Sequence, residues 1–167
     1  GMLRDDRLVG WLDENESKAY NYITNKVRNT VGKVRCPRKE GLFVVEITQS
    51  KVNIIPSIHR GERSVLLKAT IEANVGEVGC SMDLKDETSL FEMEKAAKEE
   101  LRGILEQGVR KAQSTGTDIF GFGEAFHQKY PRQWSKWAEG WNQLFMRLPV
   151  EIELNYKLRK IGKIISP

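Results

Sequence analysis

The residues best equipped for chemistry crowd into one stretch, TDIFGFGEAFHQKYPRQW, residues 117–134. Asp118 and Glu124 supply carboxylates and His127 an imidazole, the types needed for a general acid, a general base and a proton shuttle. Gly121-Phe122-Gly123 begins like a phosphate-cradling loop. That second chemistry fails on its own pattern: the third glycine of GxGxxG is missing, and the run follows a helical segment rather than a strand. The first is weak as well. Glu124 and His127 stand three residues apart, the spacing of an ordinary pair on a helix surface. Nearness in sequence supplies none of the mutual geometry an active site requires.

A structural reading accounts for more of the same residues. Asp118 is suited to cap a helix beginning at Ile119, its carboxylate taking free backbone N–H groups. Gly121 and Gly123 allow a neighbour to approach closely, at about 1 kcal/mol each in helix propensity. Phe120 lies between Asp118 and these glycines, and Phe122 and Phe126, four apart, share a face. Pro131 breaks this helix after Tyr130 and fits the first turn of the next. Trp134, Trp137 and Trp141 then recur at helical spacing and are expected to fill a core. Among their Lys and Arg neighbours, Trp134 or Trp137 could instead mark a partner interface.

Nothing else in the chain assembles a reactive set. His59, in SIHRGE, falls at a hairpin tip where a solvated histidine is ordinary. There is no GxSxG and no Cys–His setting. Two cysteines and two scattered histidines are too few for a zinc site. Cys36 and Cys80 can be one disulfide or two buried thiols. The net charge of +4 comes from 27 basic and 23 acidic residues that are interspersed throughout, so no concentrated cationic face for nucleic acid is expected. No apolar run is long enough to cross a bilayer. The residues therefore predict no catalytic set, no metal and no cofactor.

The elements that would hold the 117–134 stretch are legible from periodicity. A short strand, 8–12, precedes a helix capped by Asp13 or Asn15, in which Ala19, Tyr22 or Ile23, and Val27 recur until Asn29 and Gly32 end it. Gly1 is expected to be a tag remnant and Met2 a start or added Met, and both are set aside from the fold. VGKVRCP predicts a brief strand stopped by Pro37. Residues 41–76 predict a long antiparallel hairpin around HRGE, with Phe43, Val45 and Ile47 on one arm. The other arm carries Val65, Leu67, Ala69, Ile71, Ala73 and Val75. A bend or bulge is expected at Ser50–Lys51, and Pro56 indicates an edge strand or a strand end. A long amphipathic helix follows, with Leu90, Met93, Ala97, Leu101, Ile104 or Leu105, Gly108 and Ala112 in its stripe, starting at Asp86 or Ser89 and stopping at Gly116. A closing strand from Leu148 alternates through Leu158 and ends at Gly162. The sum is a single α+β domain: an antiparallel β-sheet with a long amphipathic helix and shorter helices packed on one face.

With these elements in order, the block DIFGFGEAFH and the succeeding YPRQW resemble the C-terminal domain of spore germination C-subunit lipoproteins, the GerAC-type or Ger(x)C family. WNQLFMRLPVEIELNYKLRKIG is similar to that family's tryptophan, LPV strand and basic-Gly ending. SKVNIIPSIHRGERSVLLKATIEANVGEV is similar to its long hairpin. The resemblance runs from about Leu8 to Gly162. Phe126 stands where the family pattern has an aliphatic residue. The resemblance implies that Asp118, Phe120, Gly121, Phe122, Gly123, Glu124, His127, Pro131, Trp134 and Trp141 form a structural family signature. It further implies a fragment of a larger lipoprotein at the outer face of the spore inner membrane, held by a lipid anchor in an N-terminal region. Neither Cys36 nor Cys80 follows an apolar leader that would suit lipid attachment. Such a protein is expected to act with membrane-embedded A- and B-type germinant receptor subunits, without enzymatic activity. The alternative is a domain that binds the small-molecule germinant directly.

Overall fold

The computed structural model describes residues 1–38 and 40–160. Its strands are β1 (Met2–Arg4), β2 (Arg7–Gly10), β3 (Thr30–Arg35), β4 (Leu42–His59), β5 (Glu62–Val78) and β6 (Val150–Arg159). Its helices are α1 (Glu14–Ile23), α2 (Glu87–Thr115), α3 (Phe122–Lys129), α4 (Pro131–Trp137) and α5 (Trp141–Arg147). Strands β1 and β2 pair by themselves, and the larger sheet has the order β3-β4-β5-β6, so the protein is α+β. By internal contacts the chain divides into two compact units. Residues 1–26, 52–68 and 104–153 form the first, and residues 27–51, 69–103 and the segment from 154 onward form the second.

In the first unit, β1 and β2 are antiparallel around Asp5 and Asp6, both at positive φ, as a tight hairpin turn requires. Met2, set aside on sequence grounds, is a strand residue opposite Gly10 and only 2% exposed. Local pattern could not reveal this, because a three-residue strand gains its place only from its partner. Asp13 caps α1 through a reciprocal box: its Oδ1 accepts the Glu16 N–H at 2.8 Å, while Glu16 Oε2 accepts the Asp13 N–H at 2.8 Å. Ala19, Tyr22 and Ile23 are buried. The helix stops earlier than the apolar spacing implies and leaves out Val27, because Asn25 turns to φ 59°. The Asn25 side-chain amide then donates to Val52 O and accepts from the Val52 N–H, both at 2.8 Å, replacing a neighbouring strand at that point of β4. A methyl placed on Gly108 of α2 would lie 2.3 Å from Ala19 Cβ, which is how closely these two helices meet.

The hairpin joining β4 and β5 turns at Arg60 and Gly61, both at positive φ. Pro56 lies within β4, beyond the part that β3 covers, so its missing N–H interrupts no ladder on that side. The carbonyl of Pro56 accepts from Lys129 Nζ at 2.9 Å. Along β4 the buried positions change phase, from Phe43, Val45 and Ile47 to Val52 and Pro56, across the segment containing Ser50 and Lys51. The Val65 N–H donates to Pro149 O at 3.0 Å, and Lys68 faces Glu153. These contacts place β6 rising in the same sense as β5, which a long helical connection permits and a tight turn does not.

In the second unit, β3 runs antiparallel to the start of β4, pairing Val34 with Phe43, Gly32 with Val45 and Thr30 with Ile47. Ala69, Ile71, Ala73 and Val75 of β5 are buried in strict alternation. Cys36 and Cys80 are joined by a disulfide across 44 residues of sequence. Beside it, the Gly79 N–H donates to Leu42 O and the Cys36 N–H to Gly41 O. Gly41 adopts φ 110°, and a methyl there would stand 2.6 Å from Gly79 O, so both geometry and space call for glycine. Asp86 opens α2 by accepting the Thr88 N–H on Oδ1. Glu94 on this helix accepts the Leu158 N–H at 3.0 Å, fastening β6. The expected strand end at Gly162 lies outside the described residues.

Candidate functional site

The 117–134 stretch belongs wholly to the first unit and is built around one carboxylate. Gly116 ends α2 at φ 67°, and Thr117 is buried immediately after it. Helix α3 starts at Phe122, three residues later than Ile119, because Gly121 at φ 86° redirects the chain first. Asp118 stands behind that turn and gathers the exposed N–H groups at the start of α3. Its Oδ1 accepts from Gly121 and Phe122 at 3.0 Å each, and its Oδ2 accepts from Gly123 at 2.6 Å. Oδ2 also accepts the indole Nε1–H of Trp141 at 3.0 Å. One side chain therefore satisfies donors that a helix leaves unpaired and fixes the first residue of α5 against α3.

The glycine next to it is required by space. A methyl on Gly123 would come within 2.8 Å of both Trp134 Cη2 and Trp141 Nε1. Around this contact the rings form a continuous block. Phe122, Phe126 and Phe145 are fully buried, and Phe120 and Trp141 nearly so. Trp141 lies 5.3 Å from Trp134, 5.6 Å from Phe126 and 6.2 Å from Phe145, centroid to centroid. Phe122 bridges Phe120 and Phe145. The three tryptophans do not share a helix: α4 ends at Trp137, a 3-10 turn covers 138–140, and α5 begins at Trp141. Pro131 occupies the first turn of α4, after Tyr130 has closed α3. Trp134 and Trp137 are half-buried. His127 stacks on Trp134 at 5.9 Å, while Trp137 meets Phe126 edge-on and carries the Arg63 guanidinium 4.8 Å from its ring centre.

Of the acid–base candidates, the structure brings Glu124 and His127 together, 3.7 Å apart, with both side chains more than half exposed. Asp118 is committed to four N–H donors instead. Glu124 also accepts from Gln128 one turn further on. Among the described residues, no group of three or more His, Cys, Asp or Glu is placed to hold a metal ion. His59 ends β4, and its neighbours Arg60 and Gly61 form the turn.

Other residues that hold this block carry no local signal. Gln113 Nε2 donates to both Phe145 O and Leu148 O, tying the end of α5 to α2. Arg4 Nη1 donates to Thr115 O, and Lys129 reaches Pro56. Each partner is far away in sequence, so no spacing rule could have identified the pair.

Residues 1–162 match the family model described as Spore germination B3/GerAC like, C-terminal. The chain belongs to that family. It is 25% identical over 158 residues to Spore germination protein KC of Bacillus subtilis (strain 168), a match covering 94% of this chain and 39% of that protein. It is 20% identical over 162 residues to Spore germination protein YndF of the same organism, covering 96% of this chain and 40% of that one. The fold is also that of a crystal structure of the GerBC protein, with a TM-score of 0.77 at 18% identity, over 93% of this chain and 48% of the other. The GerAC-like chain thus spans about two fifths of the curated relatives' length and about half of the solved structure.

Proposed function

We propose that this GerAC-like chain is the C-terminal domain of a larger lipoprotein, a non-enzymatic germinant-receptor subunit acting in nutrient-triggered spore germination. In this reading it lies at the outer face of the spore inner membrane, held by an N-terminal lipid anchor, and works through contacts with membrane-embedded A- and B-type subunits. The observation that carries the reading is the family match across residues 1–162. The Cys36–Cys80 disulfide supports an extracytoplasmic location, since such bonds persist in oxidising compartments. The non-enzymatic character is supported by the spending of both Asp118 oxygens on N–H donors and by the exposed, mutually paired Glu124 and His127.

The contact surface in this reading is the outer side of the aromatic block. Trp134 and Trp137 present partly exposed rings backed by a rigid cluster, with Arg63 laid on one and exposed Arg132 and Lys136 beside them. Tryptophan and arginine are the types that most often anchor protein interfaces. The close ring-to-ring packing supports protein contact over direct germinant binding at this place.

The test is retention of the detergent-solubilised A- and B-type subunits by the purified chain. Wild type is expected to retain them. Trp137→Ala is expected to lose retention, and so is the surface pair Arg132→Glu/Lys136→Glu, whose far-UV circular dichroism should match wild type. Failure of the folded wild-type chain to retain either subunit would refute the contact reading.

A further inference from the structure

The first unit carries an apolar face that its own core does not use. Leu3 and Leu8 are directly paired across the β1–β2 hairpin and are 63% and 53% exposed, while Trp11, just beyond it, is 69% exposed. Met2, the neighbour of Leu3, points into the core, so this small hairpin is apolar on both sides. The start of the chain lies against the exposed side. A methyl placed on Gly1 would be 2.8 Å from Leu8 Cδ1 and 3.4 Å from Trp11 Cζ3. A chain continuing upstream of residue 1 therefore begins beside Leu8 and Trp11. The turn at the far end of the hairpin, Arg4-Asp5-Asp6-Arg7, is charged and exposed, which gives the apolar face a polar rim.

Resting on the reading of the chain as a C-terminal domain, we propose that Leu3, Leu8 and Trp11 form the docking surface for the segment that immediately precedes residue 1 in the full-length protein. Two observations select this occupant over a foreign partner. The preceding chain is delivered to the face by covalent connection, so it arrives at high effective concentration. The curated relatives are long enough to supply it, since this chain covers 39% and 40% of them and the matching family model is a C-terminal one. An indole flanked by two leucines, with charge at the edge, suits an apolar stretch of polypeptide.

The test uses the full-length protein without its lipid, alone in solution. Acrylamide quenching of Trp11 is read as the difference between wild type and Trp11→Phe. Trp11 is expected to resist quenching in wild type, and Leu3→Asp/Leu8→Asp should increase its quenching several-fold with unchanged circular dichroism. Quenching as free as that of a model tryptophan amide in wild type would overturn the proposal. So would protection that survives the double substitution, or protection that fades on dilution, which would assign the face to a second copy. These outcomes are separate from failure of the underlying reading: an open reading frame beginning at Met2 would remove the C-terminal assignment itself.

Discussion

Replacing Asp118 by Asn keeps the shape of the side chain and removes one acceptor with its charge. If the amide nitrogen takes the Oδ2 position, it faces the Gly123 N–H and the Trp141 Nε1–H, two donors with nothing left to accept them. If it takes the Oδ1 position, the Gly121 and Phe122 N–H groups lose their acceptor instead. Each orphaned donor costs about 1–3 kcal/mol, so the substitution should destabilise by about 2–6 kcal/mol. For a chain of this length that is a fall of roughly 5–15 °C in Tm. Tryptophan fluorescence during urea unfolding is the appropriate assay, because Trp11, Trp134, Trp137 and Trp141 all belong to the first unit. The midpoint should fall with the slope unchanged. A double-mutant cycle with Trp141→Phe isolates the indole contact, and a coupling of about 1–2 kcal/mol is expected. An Asp118→Asn midpoint within about 0.5 kcal/mol of wild type, or an additive cycle, would refute the role assigned to this carboxylate.

Three further outcomes follow from other parts of the fold. Reducing the Cys36–Cys80 disulfide, which spans 44 residues, should cost about 4 kcal/mol of unfolding free energy. Circular dichroism should register this loss, since the tryptophans lie in the other unit. Gly103→Ala, with open space around it, should stabilise α2 by up to about 1 kcal/mol, whereas Gly108→Ala should destabilise the protein because its methyl would meet Ala19. Equal effects at the two sites in thermal melts would contradict the close approach of α1 and α2. Burial raises the Tyr22 pKa from 10.0 to about 12. The unfolded chain therefore releases this proton first, and stability that is fully present below pH 10 falls between pH 10 and 12, by about 2–3 kcal/mol in total. Tyr22→Phe should remove that part of the alkaline slope.

The legibility of the fold in the sequence tracks how local each cause is. The alternation from Val65 to Val75 and the stripe through Met93, Ala97, Leu101 and Leu105 are read directly, because each residue's burial follows from a fixed repeat. The Arg60-Gly61 turn is equally visible between its arms. Local pattern and structure part where a distant partner decides. Apolar spacing extends α1 to Val27, but Asn25 leaves the helix to bond with Val52, far along the chain. Asp118 is recognisable as a helix cap, whereas the late start of α3 and the bond to Trp141 depend on Gly121 and on a helix 23 residues further along the chain. The spacing of Trp134, Trp137 and Trp141 matched one helix, yet the turn at 138–140 divides them between two. Arg63 could not be assigned to Trp137 by any pattern, since the hairpin must first carry it there.

The hold of Asn25 on β4 has a consequence for how this chain can join others. Past Ile47, β4 has no β3 residue beside it, and an open strand edge invites a foreign strand to complete it. Asn25 occupies both hydrogen-bonding groups of Val52, Pro56 has no N–H to offer, and Lys129 holds its carbonyl. At Val52 and Pro56 the edge offers no free ladder group to a foreign strand. Asn25→Ala uncovers both groups of Val52 and should make the chain more prone to edge-to-edge association, read as a rise in light scattering over wild type at equal concentration.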